Sequence, residues 1–336
     1  MLNYELCIDM GSSYTTIYKK NSGIVLHEPT LAILQTSGRN MKVVKMGSEA
    51  QRLYGKISDD EVFVRPIVDG IVKNVQLAQK ILEYFLGKVV KYRFVKPAIK
   101  VIACLPLGLK KEEYDDIKKM YFAVGFAKID FVYGSVCASF AGSPYLAQNR
   151  ANLIVNIGGG RTEISCVTNG KIISACSVNI GGSYVDRLIV SELQHNKGYI
   201  INQNLANIIK CEIGSLYETD KGSIEVVVQE ASANSQITTI VHARDITKPI
   251  CEAYFKIAQL IQAFFGDCSP EVVEDIRKSG IVVCGGGAKM TGLETFFKKI
   301  LGLSVFVIDN PEVANVLGSE KLLGDYNMLQ KVKEEN

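Results

Sequence analysis

Three short runs of small residues, each following an apolar stretch, hold most of the chemistry this chain can offer: Asp9 to Tyr14 (DMGSSY), Asn156 to Thr162 (NIGGGRT) and Cys284 to Lys289 (CGGGAK). A strand that runs into a glycine turn exposes successive backbone N–H groups as an anion-binding concavity, and a residue without Cβ lets a phosphate approach the backbone. One such run is as readily a tight packing turn. Three of them, the first two opening alike, point to nucleotide phosphates gripped by Gly11, Ser12, Ser13 and Tyr14, by Gly158, Gly159, Gly160, Arg161 and Thr162, and by Gly285, Gly286, Gly287, Ala288 and Lys289. The third run (GGGAKMTGLETFF) is expected to open a helix, whose N-terminus favours negative charge. At the head of the second run, where phosphate chemistry calls for a carboxylate, stands Asn156. Arg161 has two readings, a guanidinium paired with a phosphate or a solvent-facing turn residue.

The elements that must position these turns read as a repeat. YELCIDMGSSYTTIYKK predicts two strands joined at Gly11-Ser12-Ser13, and ANLIVNIGGGRTEISCVTNGKIISACSVNIGG predicts strand, glycine turn, strand, turn, strand. The two copies lie about half a chain apart, too far for a solenoid, and imply a duplicated domain with a cleft between the halves. Pro29 marks a strand edge. Residues 76–87 place Leu77, Ile81, Leu82 and Phe85 on one helical face, with Gly87 as the stop. Strand AIKVIACLP, a helix from KKEEYDDIKKMYFAVGF, strand KIDFVY and helix GSVCASFAGSPYL complete the first half. Helices at GGSYVDRLIVSELQHNKG and NLANIIKCEIGSLYE, a hairpin at SIEVVVQEASANSQITTIVHA and a helix over 247–265 belong to the second. The C-terminal NPEVANVLGSEKLLGDYNML is expected to be helical and to cross back to the first half, leaving KVKEEN as a frayed tail.

Bulk properties narrow the function. A chain of 336 residues suits two domains, and 47% hydrophobic with 22% charged residues describes a globular protein. A net charge of +3, from 38 basic and 35 acidic residues, does not indicate nucleic acid as a partner. No run approaches the roughly 20 apolar residues of a membrane span, and the N-terminus enters a strand pattern directly, so a cytoplasmic protein is expected. The cysteines fall mostly in apolar runs, as small buried hydrophobes, and His27, His195 and His242 are too scattered for a metal cluster.

With these motifs together, the sequence resembles the MreB family of bacterial actin homologues, the rod-shape-determining proteins of the actin/Hsp70/sugar-kinase superfamily. CIDMGSSYTTIY is similar to the family's first phosphate loop, VRPIVDGIVKN to the segment before its first long helix, VNIGGGRTEI to its second phosphate loop, IKCEIGS to the helix beside the nucleoside and GIVVCGGGAKMTGL to its adenosine loop. The resemblance implies an α/β, actin-like ATPase fold: two duplicated ribonuclease-H-like domains around a nucleotide cleft, each with a smaller subdomain. Domain I would be 1–140 plus 316–336 (small subdomain about 32–66), and domain II 141–315 (small subdomain about 181–246). It further implies ATP or ADP with magnesium, self-association into double protofilaments, cell-wall morphogenesis proteins as partners, and a place at the inner face of the cell membrane.

The site departs from the family where water and metal are handled. Asp9 matches, and would engage magnesium through water, or else satisfy its own turn. The family's aspartate in the second loop is Asn156, and its water-positioning glutamate in a Glu-Glu-Pro segment aligns with Gly134. Beside the nucleoside, a Glu-Glu-Ile-Lys run becomes Asn207-Ile208-Ile209-Lys210, keeping Lys210. Since hydrolysis needs a positioned water and a metal, the expectation is a filament protein that holds nucleotide and hydrolyses it weakly or not at all. The alternatives are an ATPase filament with non-standard residues, a non-polymerising actin-like adaptor and, against Asn156 and Gly134, a small-molecule kinase. Finally, Lys88, Lys91, Arg93 and Lys96 interleave with Val89, Val90, Tyr92, Phe94 and Val95. Phe94 and Val95 fall where the family inserts a hydrophobic loop into the membrane surface; the other reading packs the apolar residues beneath the neighbouring helix.

Overall fold

The repeat foreseen in the sequence is visible as two five-stranded sheets of the same order. In a computed structural model describing residues 3–37, 40–91, 97–142, 150–217, 219–232 and 235–334, β1 (Asn3–Met10), β2 (Tyr14–Lys19) and β3 (Gly23–Pro29) form an antiparallel meander. A small sheet follows, of β4 (Ala32–Ser37), β5 (Asn40–Met46) and β6 (Glu61–Val64), with α1 (Gly47–Gln51). The hairpin β7 (Ile67–Val68) and β8 (Ile71–Val72) turns through Asp69 and Gly70, at φ 52° and 73°. Helix α2 (Val75–Val89) is capped by Asn74, whose Oδ1 accepts the Leu77 N–H at 2.9 Å. Then β9 (Ala98–Leu105) joins β1 in parallel, α3 (Lys111–Val124) crosses, β10 (Lys128–Tyr133) joins β9, and α4 (Gly134–Ala141) closes the half.

The second half repeats the plan with β11 (Asn152–Ile157), β12 (Thr162–Thr168) and β13 (Lys171–Val178). Helices α5 (Gly182–Lys197) and α6 (Gln203–Ile213) and a small sheet of β14 (Tyr199–Ile200), β15 (Ser223–Glu230) and β16 (Ser235–His242) follow. Next come α7 (Ala243–Gly266), α8 (Pro270–Ser279), β17 (Ile281–Cys284), α9 (Leu293–Leu301) and β18 (Val305–Val307). The large sheets run β3-β2-β1-β9-β10 and β13-β12-β11-β17-β18. Even their turns correspond: the Gly11 N–H donates to the Tyr14 carbonyl and the Gly158 N–H to the Arg161 carbonyl, both at 2.9 Å.

Several boundaries differ from the sequence reading. The apolar face of α2 is as expected, with Leu77, Ile81, Leu82 and Phe85 buried, but the helix runs two residues past Gly87 because tertiary packing outweighs glycine's weak propensity. Helix α7 starts at Ala243, where Asp245 Oδ2 accepts the His242 N–H at 3.0 Å, and it accommodates Pro249 in its interior. The C-terminal segment forms α10 (Ala314–Gly324) and α11 (Tyr326–Val332) and packs on the first half, as foreseen. Its tail is not frayed as far as Glu334, whose N–H donates to the Phe131 carbonyl at 2.8 Å.

The two large sheets are joined through α4 and α10. Val136, Cys137, Val316 and Leu322 pack toward Cys7, Ile102 and Val132 of the first sheet. Ala138 and Ala314 pack toward Ile154, Val167 and Val282 of the second. The helices meet at Gly318, where an added Cβ would collide with the Cys137 carbonyl oxygen. Gly318→Val is therefore expected to destabilise the protein by about 3 kcal/mol or more in chemical denaturation, the upper end of overpacking costs, because a backbone carbonyl cannot step aside as a side chain can.

Candidate functional site

The two first-order glycine turns face each other across the halves. Gly159 lies against Ser13, so a Cβ there would strike the Ser13 Oγ, and a Cβ on Gly160 would lie 2.6 Å from Asp69 Cα and 2.8 Å from Ser12 Oγ. Ser12 Oγ accepts the Gly70 N–H at 2.8 Å, tying the β7–β8 turn to the first loop. Among the described residues, the backbone N–H groups of Ser12, Ser13, Gly159 and Gly160 have no hydrogen-bond partner. Arg65 donates through Nη1 to the carbonyls of Ser12 and Ser13, at 3.4 and 3.2 Å, and through Nη2 to the Tyr54 hydroxyl at 3.2 Å. One face of the first loop is thus anchored by its carbonyls while its amides stay available, the arrangement an anion needs.

Asp9, at the end of β1, accepts from Asn315 Nδ2 of α10 through Oδ2 at 2.9 Å. Burial pushes its carboxyl up to about 6, against the lowering effect of that hydrogen bond. Asn315 also fills the space beside Gly134: a Cβ on Gly134 would lie 2.8 Å from Asn315 Nδ2. The place where the resemblance implies a water-positioning glutamate is therefore taken by an amide that holds Asp9. Asn156 pairs with Glu163 across β11 and β12, and its Oδ1 sits against Gly285. Asp69 Oδ1 is buried with no hydrogen-bond partner. Among the described residues no group of three or more His, Cys, Asp or Glu could hold a metal. Magnesium carried by a nucleotide needs only one or two carboxylates besides the phosphates, so Asp9, with Oδ1 left over, fits that role.

Arg161 is not the solvent-facing turn residue of one of its two readings. Its side chain, only 8% exposed as part of the residue, crosses to the first half, where Nε donates to the Asp69 carbonyl at 2.8 Å and Nη1 to the Leu107 carbonyl at 2.6 Å. The Leu107 N–H in turn donates to Glu163 Oε1 at 2.8 Å. Burial pushes the Glu163 carboxyl up to about 7; the Leu107 N–H and the Arg161 charge act in the opposite direction, and Asp9 adds a further rise.

Where the resemblance places the nucleoside, Lys210 donates to Asp186 Oδ1 at 2.6 Å and to the Gly182 carbonyl at 3.0 Å, while Asn207 Nδ2 reaches Asp186 Oδ2 at 3.4 Å. The Asp186 carboxyl is raised by burial and partly brought back by Lys210. Thr162 is buried and donates to the Ile180 carbonyl at 2.5 Å, and Tyr14 stacks on His27 with ring centroids 4.7 Å apart. The third turn does not open directly into a helix as foreseen. Gly285, at φ 83°, leads into a single 3₁₀ turn over Gly286–Lys289, and α9 begins only at Leu293. Glycine is required here by that φ and by Ile157, whose side chain a Cβ on Gly287 would strike. The Tyr254 hydroxyl donates to the Gly287 carbonyl at 2.6 Å, Ala288 is buried, and Lys289 pairs with Glu312 at 3.0 Å. Phe94 and Val95 lie outside the described residues.

The sequence reading missed Arg65, Asp186, Glu163 and Asn315. Arg65 and Glu163 stand inside quoted motifs and were legible as charges beside them. Asp186 and Asn315 carry no local signal, since their partners are 24 and 306 residues away.

Duplicated sheets of this order around facing glycine turns define an actin-like fold. The sequence model of the MreB/Mbl protein family matches residues 3–331, and the chain belongs to that family. It is 27% identical to the cell shape-determining protein MreB of Escherichia coli (strain K12) over 326 residues, 96% of this chain and 94% of that protein. It is 26% identical to the cell shape-determining protein Mbl of Bacillus subtilis (strain 168) over 335 residues, 99% of each. Among solved structures, MreB 5 of Spiroplasma citri bound to AMPPNP superposes with a TM-score of 0.89 at 22% identity, covering 99% of this chain and 98% of that one. The MamK double helical filament gives a TM-score of 0.77 at 18% identity, covering 96% and 99%. The chain is thus an actin-like cytoskeletal protein of a cell shape-determining family, and none of its described helices is long and apolar enough to cross a membrane.

Glu163 makes a pH prediction. Folded Glu163 keeps its proton up to about pH 7, whereas the unfolded carboxyl loses it near pH ~4.3. The folded state binds more protons between these values, so stability is fullest below the lower one and falls as pH rises through the higher. Glu163→Gln, which retains an acceptor for Leu107, should flatten the decline of the denaturation midpoint between pH 5 and 7, with Asp9 sustaining what slope remains.

Proposed function

We propose that the protein binds ATP or ADP with magnesium in the cleft between its halves and assembles with copies of itself into filaments serving cell shape. Its turnover of ATP is very slow or absent. The observation that carries this reading is the meeting of two glycine turns with free N–H groups at a site whose water-handling position is filled by Asn315. Backbone donors and Asp9 provide for binding, while neither Gly134 nor Asn156 can orient and deprotonate water. The Spiroplasma citri relative has been crystallised with both AMPPNP and ADP, and MamK forms a double helical filament; both support the reading by likeness of fold. Bound magnesium would neutralise charge on the phosphates. Asp9 would hold it, with Asn315 fixing one carboxylate oxygen, and Lys210, Asn207 and Asp186 would line the nucleoside side.

A labelled ATP analogue should bind the purified protein with magnesium, while phosphate release stays near background. Turnover typical of an active ATPase would overturn the slow-hydrolysis reading and favour the alternative of non-standard catalytic residues. Gly134→Glu alone should add no turnover, because its side chain meets Asn315, whereas Gly134→Glu with Asn315→Ala should raise phosphate release. Sedimentation of polymer separates the filament from a non-polymerising adaptor.

Within the 88–96 stretch, Lys88 and Val89 lie in α2, where Lys88 pairs with Glu28 at 2.7 Å, and Val90 is buried against the first core. We further propose that the remaining residues, Lys91, Arg93 and Lys96 with Tyr92, Phe94 and Val95, bind the inner membrane surface, on their alternation of basic and apolar types. Replacing Phe94 and Val95 by serine should lower co-sedimentation with anionic liposomes severalfold while leaving polymerisation intact. Unchanged co-sedimentation would favour the packing role for those side chains.

A further inference from the structure

We propose that Arg161 is a built-in latch that holds the cleft closed without nucleotide, so that nucleotide adds to a closure the chain already makes for itself. This rests on the reading of the cleft as a nucleotide site and concerns how that site is regulated. In a two-lobed protein whose ligand lies between the lobes, the ligand is ordinarily the bridge, and the empty state is the open one. Here a side chain of the second half already makes the bridge.

The geometry is specific to arginine. Arg161 starts in the second phosphate loop, and both of its acceptors belong to the first half: the Asp69 carbonyl in the β7–β8 turn at 2.8 Å, and the Leu107 carbonyl in the loop after β9 at 2.6 Å. A planar guanidinium with donors in a fixed fork can serve two carbonyls on separate segments at once, which a lysine ammonium on its flexible stem does less well and a threonine hydroxyl cannot reach at all. Both bonds are charge-assisted, the condition under which they are strong, and the one to Leu107 is buried while the one to Asp69 is partly so. Leu107 is gripped from both sides, since its N–H donates to Glu163 Oε1 at 2.8 Å.

The first half is shaped to receive this side chain. Gly70, at φ 73°, lies under the guanidinium, and a Cβ there would sit 2.6 Å from Arg161 Nε. Gly108, at φ 69°, brings the loop after β9 against β13, where a Cβ would strike Ser177 Oγ. Two left-handed glycines therefore flank the two carbonyls that Arg161 holds. The same guanidinium that makes the latch is withdrawn from the phosphates, which are left to the free amides of Ser12, Ser13, Gly159 and Gly160.

Hydrogen exchange on the full-length protein tests the latch, because the Leu107 amide is satisfied by Glu163 only when the halves are together. In nucleotide-free wild-type protein, the Leu107 amide should be protected and change little when Mg-ADP is added. In Arg161→Thr without nucleotide it should exchange at least about tenfold faster, and Mg-ADP should restore much of the protection. Arg161→Lys, which keeps the charge and fills similar volume, should fall between the two, and it decides the question if the threonine variant does not fold. Wild-type protection that appears only with Mg-ADP, or nucleotide-free variants as protected as wild type, would overturn the latch. Binding of a labelled ATP analogue on the same samples keeps the two readings apart. If no nucleotide binds, the nucleotide site falls, while the nucleotide-free comparison of wild type and variants still decides the latch.

Discussion

The rest of this structure depends on how closely two backbone turns can approach between its two halves. Gly159 against Ser13, and Gly160 against Asp69, leave no room for a Cβ. Whatever else the chain does, its two halves must present bare backbone to each other there, and everything behind the turns serves that end. The sheets deliver the turns at equivalent ends of β1 and β11, the same intraturn hydrogen bond shapes each, and Arg65 takes the first loop's carbonyls. Side-chain chemistry at the site is sparse because the site is mostly backbone.

The join between the two sheets and the surroundings of Asp9 are linked through one helix. Helix α10 packs on α4 so tightly that Gly318 touches the Cys137 carbonyl, and that packing sets Asn315, one turn earlier, beside Gly134 and within reach of Asp9. A side chain larger than hydrogen at Gly134 and the amide of Asn315 compete for the same space. Glycine at 134, where the family resemblance implies a glutamate, and the amide on Asp9 are thus two aspects of a single arrangement. From the second loop, Arg161 joins the halves through the backbone carbonyls of Asp69 and Leu107.

Much of the fold was legible in the residues. The repeated strand–glycine–strand pattern, the apolar face of α2 and the return of the C-terminal helices follow from periodicity and turn chemistry, which act over a few residues. The helix expected from the third turn begins only at Leu293, because Gly285, at φ 83°, leads first into a 3₁₀ turn over Gly286–Lys289. Arg161 was undecided between phosphate and solvent because its acceptors, Asp69 and Leu107, are 92 and 54 residues away. Asn315 gave no sign of its role for the same reason.

By itself the sequence determined which turns present bare backbone and which positions carry glycine or an amide where the family resemblance implies a carboxylate, since glycine's lack of a Cβ and the charge of a carboxylate are properties of the residue. Tertiary structure alone decided what occupies the vacated positions. That Asn315 stands where a glutamate would, that Arg161 reaches across the cleft, and that Glu163 holds a raised carboxyl beside it depend on groups brought together only when two sheets pack around α4 and α10. Burial and long-range hydrogen bonds are set by the neighbours a residue acquires on folding, and no local pattern in the chain encodes them.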